Sequence, residues 1–374
     1  MQCVTFDQKN KRAIYTTRDL PKIENDEEII VRVVFAGICG TDLHILENKF
    51  DAIDGVVLGH EITGFVHEVP PSCKSFKVGD RVVLNPNISC SRCLHCKKGL
   101  YNFCNAGGLA YTLGIGTDGG WAEYCKAHIS LVYKISDNIS FEQEPYYESN
   151  YFLECPIQSD DLDTSRIQHI YITVLCEPLS CVVHALDKLS NIDIGSNILI
   201  IGAGIIGLLW SSVLHVMGHR RVYVSEPNVG RKTTVENLDL GYKCTHWEKI
   251  LHLHEADPDW KIDLCIDCSG NINAIQAAIP ILQYGATLLI FGVADPTKTM
   301  TVSPYEIYKK ELTVRGTAIN TITSFHKAVA LLESLSNRYI TMDKMAMKKF
   351  KLKEYQEALN TFCKGTYSKL IFEI

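Results

Sequence analysis

The chain has 374 residues, more than a single hydrophobic core ordinarily organises, so its length predicts at least two domains. Hydrophobic residues make up 46% and charged residues 21%, a balance that excludes disordered and fibrous classes. A formal charge of -6, with no Lys/Arg cluster longer than a pair, excludes nucleic acid and anionic membrane as partners and leaves a small molecule.

The N-terminus, "MQCVTFDQKNKRAIY", lacks the apolar core of a signal peptide. The most apolar stretch, "NILIIGAGIIGLLW", is interrupted by glycines and too short to span a bilayer, so a cytoplasmic protein is expected. Up to about residue 140 the chain shows short β-type runs, "IIVRVVF", "ITGFVHEV", "RVVL" and "WAEYC", separated by Gly, Pro and Asp turns. "VVLGHEITG", residues 56–64, also reads as a buried β-segment with glycine at its bends. This first part is predicted to be a mostly β domain. Residues 144–174 mix aromatic, acidic and Ser/Asp content without sustained period and read as an inserted surface loop.

From Asn197 the rhythm changes. "NILIIG", "RVYVSE", "KIDLCID" and "GATLLIFG" are buried-type strands separated by segments of helical period, which predicts a doubly wound parallel sheet. After "ELTVRG", helical stretches near 324–335 and 353–362 lead to a last strand, "SKLIFEI", expected to pack back on the first domain. The fold class is therefore α/β plus β. Its expected boundaries are 1–182 for the β domain with its insertion, 183–317 for the parallel-sheet domain, and 318–374 for the return.

Fifteen cysteines in a cytoplasmic chain are thiols or metal ligands rather than disulfides. Cys90, Cys93, Cys96 and Cys104 form C-x2-C-x2-C-x7-C, whose short steps let four thiolates curl round one tetrahedral centre. A closed four-sulfur set marks structural rather than catalytic zinc. An iron–sulfur cluster is the alternative.

In "LIIGAGIIGLLW", Gly202, Gly204 and Gly207 form G-x-G-x-x-G directly after a strand and opening a helix. The first glycine permits the tight turn, the second lets a pyrophosphate approach the backbone, and the third lets helix and strand pack closely. Ile205 and Ile206, between the last two glycines, belong to the same cofactor-binding set. The next strand ends in Glu226, where a carboxylate accepts from the adenosine ribose hydroxyls and repels a 2'-phosphate, favouring NAD over NADP. Arg231 and Lys232 follow close behind and keep NADP in play.

Cys39 in "GICGTDLH", His60 and Glu61 in "LGHEITG", and Glu177 in "CEPLSCVVHAL" offer thiolate, imidazole and carboxylate donors, and a catalytic zinc needs three protein ligands with one position open. Neighbours on a regular strand face opposite ways, so His60 and Glu61 reach one ion only if the chain bends, as Gly59 allows. The alternatives are a core cysteine, a core histidine, and a Glu61 that only orients another ligand.

Taken together, "GICGTDLH", "LGHE", "VGDRV", the cysteine quartet, "EPLS", "IIGAGIIG" and "KKELTVRG" resemble, in order and across nearly the whole chain, the zinc-containing medium-chain dehydrogenases, and within them the polyol (sorbitol and arabinitol type) branch. The resemblance implies a GroES-like β domain beside a Rossmann domain. It implies a catalytic zinc held by Cys39, His60 and Glu61, with Glu177 binding directly or through water, and hydride transfer from a secondary hydroxyl to NAD. It implies a proton relay through Thr41 and His44, pocket-lining roles for Ser269 and Val293, and a homodimer or homotetramer. Thr41 is also a candidate N-cap for the helix that follows, and His44 a candidate exposed residue.

Two departures bear on the substrate. Animal sorbitol dehydrogenases carry an Arg-Tyr pair where this chain has Ile319 and Asn320, and Ile45 replaces a substrate-side tyrosine. A threonine-type or simple secondary-alcohol dehydrogenase, and a non-catalytic nucleotide-binding relative, are the alternative functions.

Overall fold

The structure, a computed structural model, describes residues 1–107, 111–135, 170–336 and 338–374. Two large sheets organise it. The first has seven strands: Met347–Lys351, Lys369–Glu373, Glu28–Ile38, Ile62–Glu68, Arg81–Leu84 and Val132–Lys134 in that order, with Tyr124–His128 pairing Glu28–Ile38 off the path. The second has six parallel strands in the order Lys243–Thr245, Val222–Ser225, Ile198–Ile201, Ile262–Asp267, Leu282–Ile290 and Thr313–Gly316.

The parallel sheet is built round a central strand that is apolar throughout. All four residues of Ile198–Ile201 are buried, as a strand covered by helices on both faces requires. The β sheet instead closes through its longest strand. Glu28–Ile38 pairs antiparallel with Ile62–Glu68, Tyr124–His128 and Lys369–Glu373, so the C-terminus does return to the first domain, with Ile371 opposite Gly37.

The two halves share apolar packing. One buried cluster joins Phe35, Val83 and Leu175 to Ile198, Leu214 and Phe325. Helix Cys176–Leu186 packs against helix Ile322–Ser336 at this junction and carries Glu177 in its first turn; the expected boundary at 182/183 falls inside it. Of the insertion, residues 144–169 lie outside the described residues, and the chain resumes at residue 170 with a 3-10 turn, Ile170–Leu175, leading into that helix.

Three local readings change. "VVLGHEITG" is not a continuous strand: Val57 makes only an isolated bridge to Thr5, and regular pairing starts at Ile62. "WAEYC" enters its strand only at Tyr124. The antiparallel hairpin Gln2–Asp7 and Arg12–Thr17 and the strand Met347–Lys351, which pairs with Lys369–Glu373, are additional strands too mixed in composition to announce themselves.

Candidate functional site

Strand Glu28–Ile38 ends at Cys39, which N-caps helix Gly40–Leu46. The segment carrying His60 and Glu61 is bent toward it by Gly59, whose φ of +90° lies in the left-handed region that favours glycine. A Cβ at Gly59 would overlap Trp121, and one at Gly37 would overlap Glu61 Oε2, so both glycines leave the space the site occupies. The Cys39, His60 and Glu61 ligand atoms all lie within 4.8 Å of one another. They can grip a common ion.

The surroundings suit a cation. His60 Nδ1 and Asp42 Oδ1 are buried and lack hydrogen-bond partners among the described residues, and they stand 3.7 Å apart. Asp42 Oδ2 accepts from the Cys39 N–H at 2.8 Å, so this carboxylate both fixes the thiol-bearing residue and faces the imidazole. Burial opposes charge on His60, but Cys39 and Asp42 outweigh it and hold the ring well above the ordinary imidazole range. Glu177 stands outside the tight trio but within electrostatic reach of His60 and Glu61. Burial pushes its carboxyl up to about 6, partly offset by His60 and reinforced by Glu61. Four acidic groups therefore face one imidazole and one buried lysine, Lys369, which contacts Glu61.

The cysteine quartet forms a second cluster on an exposed lobe. Cys90, Cys93, Cys96 and Cys104 present their sulfurs within 4.8 Å of one another, with Cys93 Sγ 3.6 Å from Cys96 Sγ and 3.9 Å from Cys104 Sγ. Backbone N–H groups of Cys96 and Asn105 bring Cys93 down to about 6, while burial and neighbouring sulfurs push Cys96 up to about 12. Four convergent thiols without an open side fit a structural zinc.

In the parallel sheet, Gly202 has φ +99° and turns the chain directly after Ile198–Ile201. Gly204 N-caps helix Ile205–Val216 with no atom near where a Cβ would stand, and a Cβ at Gly207 would overlap the Gly202 carbonyl. Each glycine thus meets the requirement its position predicted. Ile205 and Ile206 are partly exposed at the helix start. Glu226, nearly buried, accepts from Ala203 N–H and Asn228 N–H, both at 2.8 Å, so it ties the turn to the adjacent strand. Ser269 is held by Asp267 at 2.8 Å beside Gly202, and Val293 is 77% exposed. Arg231 points elsewhere, donating Nε to the Gly365 carbonyl at 3.3 Å.

Comparison with known proteins places the chain in a family. The family "Alcohol dehydrogenase GroES-like domain" matches residues 25–137, and "Zinc-binding dehydrogenase" matches residues 206–334. D-arabinitol dehydrogenase 1 of Uromyces fabae is 31% identical over 91% of this chain and 88% of its own length. The chain belongs to the zinc-containing medium-chain dehydrogenases. Sorbitol dehydrogenase of Bombyx mori is 27% identical over 95% of this chain and 93% of its own length. A zinc-binding dehydrogenase from Sinorhizobium meliloti, solved bound to NADP, superposes with TM-score 0.82 at 26% identity, covering 100% of this chain and 99% of that one. This zinc-containing dehydrogenase is accordingly an oxidoreductase acting on CH–OH donors.

Within the dehydrogenase, Thr41 is not the N-cap, since Cys39 takes that place; Thr41 Oγ1 instead lies 3.7 Å from Cys39 Sγ. His44 is half-buried, with Nδ1 lacking a hydrogen-bond partner. Ile45 is fully buried in the core of the first sheet. Asn320 is also fully buried and donates to Glu177 Oε1 at 3.2 Å. Three residues escaped the sequence reading. The sequence does not single out Asp42 or Lys369, and it marks Asn320 only as a departure from the Arg-Tyr pair of animal sorbitol dehydrogenases. No local signal distinguishes them, because their partners come from other elements.

Proposed function

We propose that this dehydrogenase oxidises a secondary hydroxyl of a polyol to a ketone, with NAD as hydride acceptor. The observation that carries the reading is the convergence of Cys39, His60 and Glu61 within 4.8 Å, a buried three-donor set of the kind that leaves a fourth position to substrate. Cys39, His60 and Glu61 would hold a zinc ion, whose positive charge would make a substrate hydroxyl more acidic. Glu177 acts directly or through water on whatever occupies the open position. Thr41 and His44 carry the hydroxyl proton outward; the His44 Nδ1, without a hydrogen-bond partner among the described residues, is available for that exchange.

The cofactor reading rests on Glu226. Its carboxylate sits at the end of the second strand, where a 2'-phosphate would meet negative charge, and the Arg231 Nε is engaged by Gly365. NAD is therefore preferred to NADP. Gly202, Gly204, Ile205, Ile206 and Gly207 cradle the pyrophosphate, while Ser269 and Val293 border the cofactor cleft.

A simple secondary alcohol or threonine-type substrate is the second reading. It is favoured by Ile45 lying in the core and Asn320 being tied to Glu177, which leaves neither position free for a polyol's further hydroxyls. A homo-oligomer is proposed on the edge strand Thr313–Gly316, exposed at all four residues and flanked by exposed Tyr305 and Tyr308, because an open edge invites pairing with another chain. Among the described residues no helix is long and apolar enough to cross a membrane, and the cysteines are free thiols, which supports a cytoplasmic setting.

A substrate panel of polyols, diols, simple secondary alcohols and threonine, followed by NADH and NADPH absorbance, tests the reading together with zinc analysis. About two zinc ions per chain and NAD-linked oxidation of a polyol are expected from one closed and one open ligand set. One zinc and no turnover on any panel member would indicate a nucleotide-binding relative instead.

A further inference from the structure

The segment that leaves the parallel sheet after Thr313–Gly316 runs back to the junction of the two halves, and it does so under backbone strain. Ile319 has φ +49°, a region that a β-branched residue enters only when its surroundings impose it. Two side chains from the β half hold the segment. Asn102, in the turn Tyr101–Phe103 just before Cys104, donates Nδ2 to the Ala318 carbonyl at 3.3 Å. Asn87 donates Nδ2 to Asn320 Oδ1 at 3.2 Å.

Asn87 is itself fixed, since its Oδ1 accepts from Thr112 Oγ1 at 2.9 Å. Asn320, at 0% exposure, then donates Nδ2 to Glu177 Oε1 at 3.2 Å. The relay has a direction. An ionised carboxylate only accepts, so the Asn320 amide must turn its nitrogen to Glu177 and its oxygen to Asn87, and the Asn87 amide must follow. Reversing either amide in this dry setting would set oxygen against oxygen and leave buried groups unpaired.

We infer that Asn320 is a positioning residue: through the relay Thr112–Asn87–Asn320 it holds the Glu177 carboxylate facing Cys39, His60 and Glu61. The inference rests on the reading of that trio as an open zinc site. It makes Asn320 a fixed part of the metal environment, joined to the β half through Asn87.

The test is a mutant cycle on the zinc-loaded full chain: Asn320→Ala, Glu177→Ala and the double variant, with Asn87→Ala as a change farther from the metal. Readouts are zinc retention at the open site against a chromophoric chelator, the visible absorption of cobalt-substituted protein, and melting temperature. Partners that orient metal ligands are worth roughly 10- to 100-fold in metal affinity. Asn320→Ala is expected to weaken retention about 10-fold and alter the cobalt spectrum. In the Glu177→Ala background the same change should alter neither readout beyond about twofold, because coupled residues are non-additive. Asn87→Ala should shift the spectrum in the same direction by less.

Equal effects of Asn320→Ala in both backgrounds, or a lowered melting temperature with an unchanged spectrum, would overturn the inference. The site reading fails separately: a Cys39→Ser or His60→Ala protein that still holds about two zinc ions per chain removes the open site itself. Loss of one zinc in those variants, with no coupling between positions 320 and 177, removes only the role of Asn320.

Discussion

Lys369 and Glu61, 308 positions apart in sequence, form a buried ion pair at the edge of the Cys39–His60–Glu61 cluster. Their side chains are 2% and 1% exposed, so each is the other's main source of compensation for lost water. Burial works against the Lys369 charge, yet Glu61 and then Cys39 raise its pKa above the usual lysine value.

Removing one member of such a pair strands the other. Lys369→Met is expected to destabilise the metal-free protein by about 3–5 kcal/mol, the usual cost of an uncompensated buried charge. Zinc would compensate Glu61 in turn, so the loss should shrink in the zinc-loaded protein. Thermal denaturation with and without zinc measures both, and an equal loss in the two states would speak against Glu61 as a ligand.

Gly37 is expected to tolerate no side chain. A methyl group there would overlap Glu61 Oε2 and crowd Val174. Overpacking of this kind costs about 1–3 kcal/mol. Gly37→Ala should also displace Glu61 and lower zinc content from about two per chain to about one, leaving the closed four-sulfur set filled. Metal analysis after gel filtration decides; retention of both ions would show that Glu61 is dispensable for holding the second.

Glu177 supplies a pH test in the metal-free protein. Burial raises its carboxyl to about 6 from the ordinary value of 4.5, so the ionised form is disfavoured in the folded state. The cost is absent below the unfolded value, grows as pH rises, and is complete above about 6. At about 1.4 kcal/mol per pH unit it reaches ~2 kcal/mol. Glu177→Gln, which keeps an oxygen to accept from Asn320, should therefore stabilise the metal-free chain by up to ~2 kcal/mol at pH 8. The gain should narrow as pH falls to 5. Urea unfolding at the two pH values reads the difference, and a pH-independent gap would contradict it.

Glu226 links turn geometry to cofactor choice. Its two oxygens take the Ala203 and Asn228 N–H groups, and hydrogen bonds to a charged group contribute about 1.5–3 kcal/mol each. Glu226→Ala should loosen the glycine turn, weaken NADH binding about 10- to 100-fold, and narrow the preference over NADPH because the repelling charge is gone. Fluorescence titration with both cofactors is the measurement. Parallel losses for NADH and NADPH would remove the charge-based account of specificity.

Much of this dehydrogenase is legible without coordinates where the chemistry is local. The quartet Cys90, Cys93, Cys96 and Cys104 spans a short stretch, so spacing alone implies convergence, and the sulfurs do converge. Gly202, Gly204 and Gly207 are likewise read from one strand–turn–helix, where Gly202 takes a left-handed φ, Gly204 leaves open space and Gly207 packs against the Gly202 carbonyl. Gly59 announced the bend that His60 and Glu61 need, although the strand expected across residues 56–64 gave way to that bend.

What composition and spacing determined by themselves was the alternation of buried strands and helices, the closed sulfur set, the dinucleotide turn and the candidate donors Cys39, His60, Glu61 and Glu177. Only the tertiary structure decided that Asp42 faces His60, that Lys369 neutralises Glu61, and that Asn320 holds Glu177 while Ile45 withdraws into the core. Periodicity and motif spacing report on neighbours within a turn or a strand. Compensation of buried charge is settled between whichever elements the fold brings together, and strand Lys369–Glu373 meets strand Glu28–Ile38 only after the whole chain has closed.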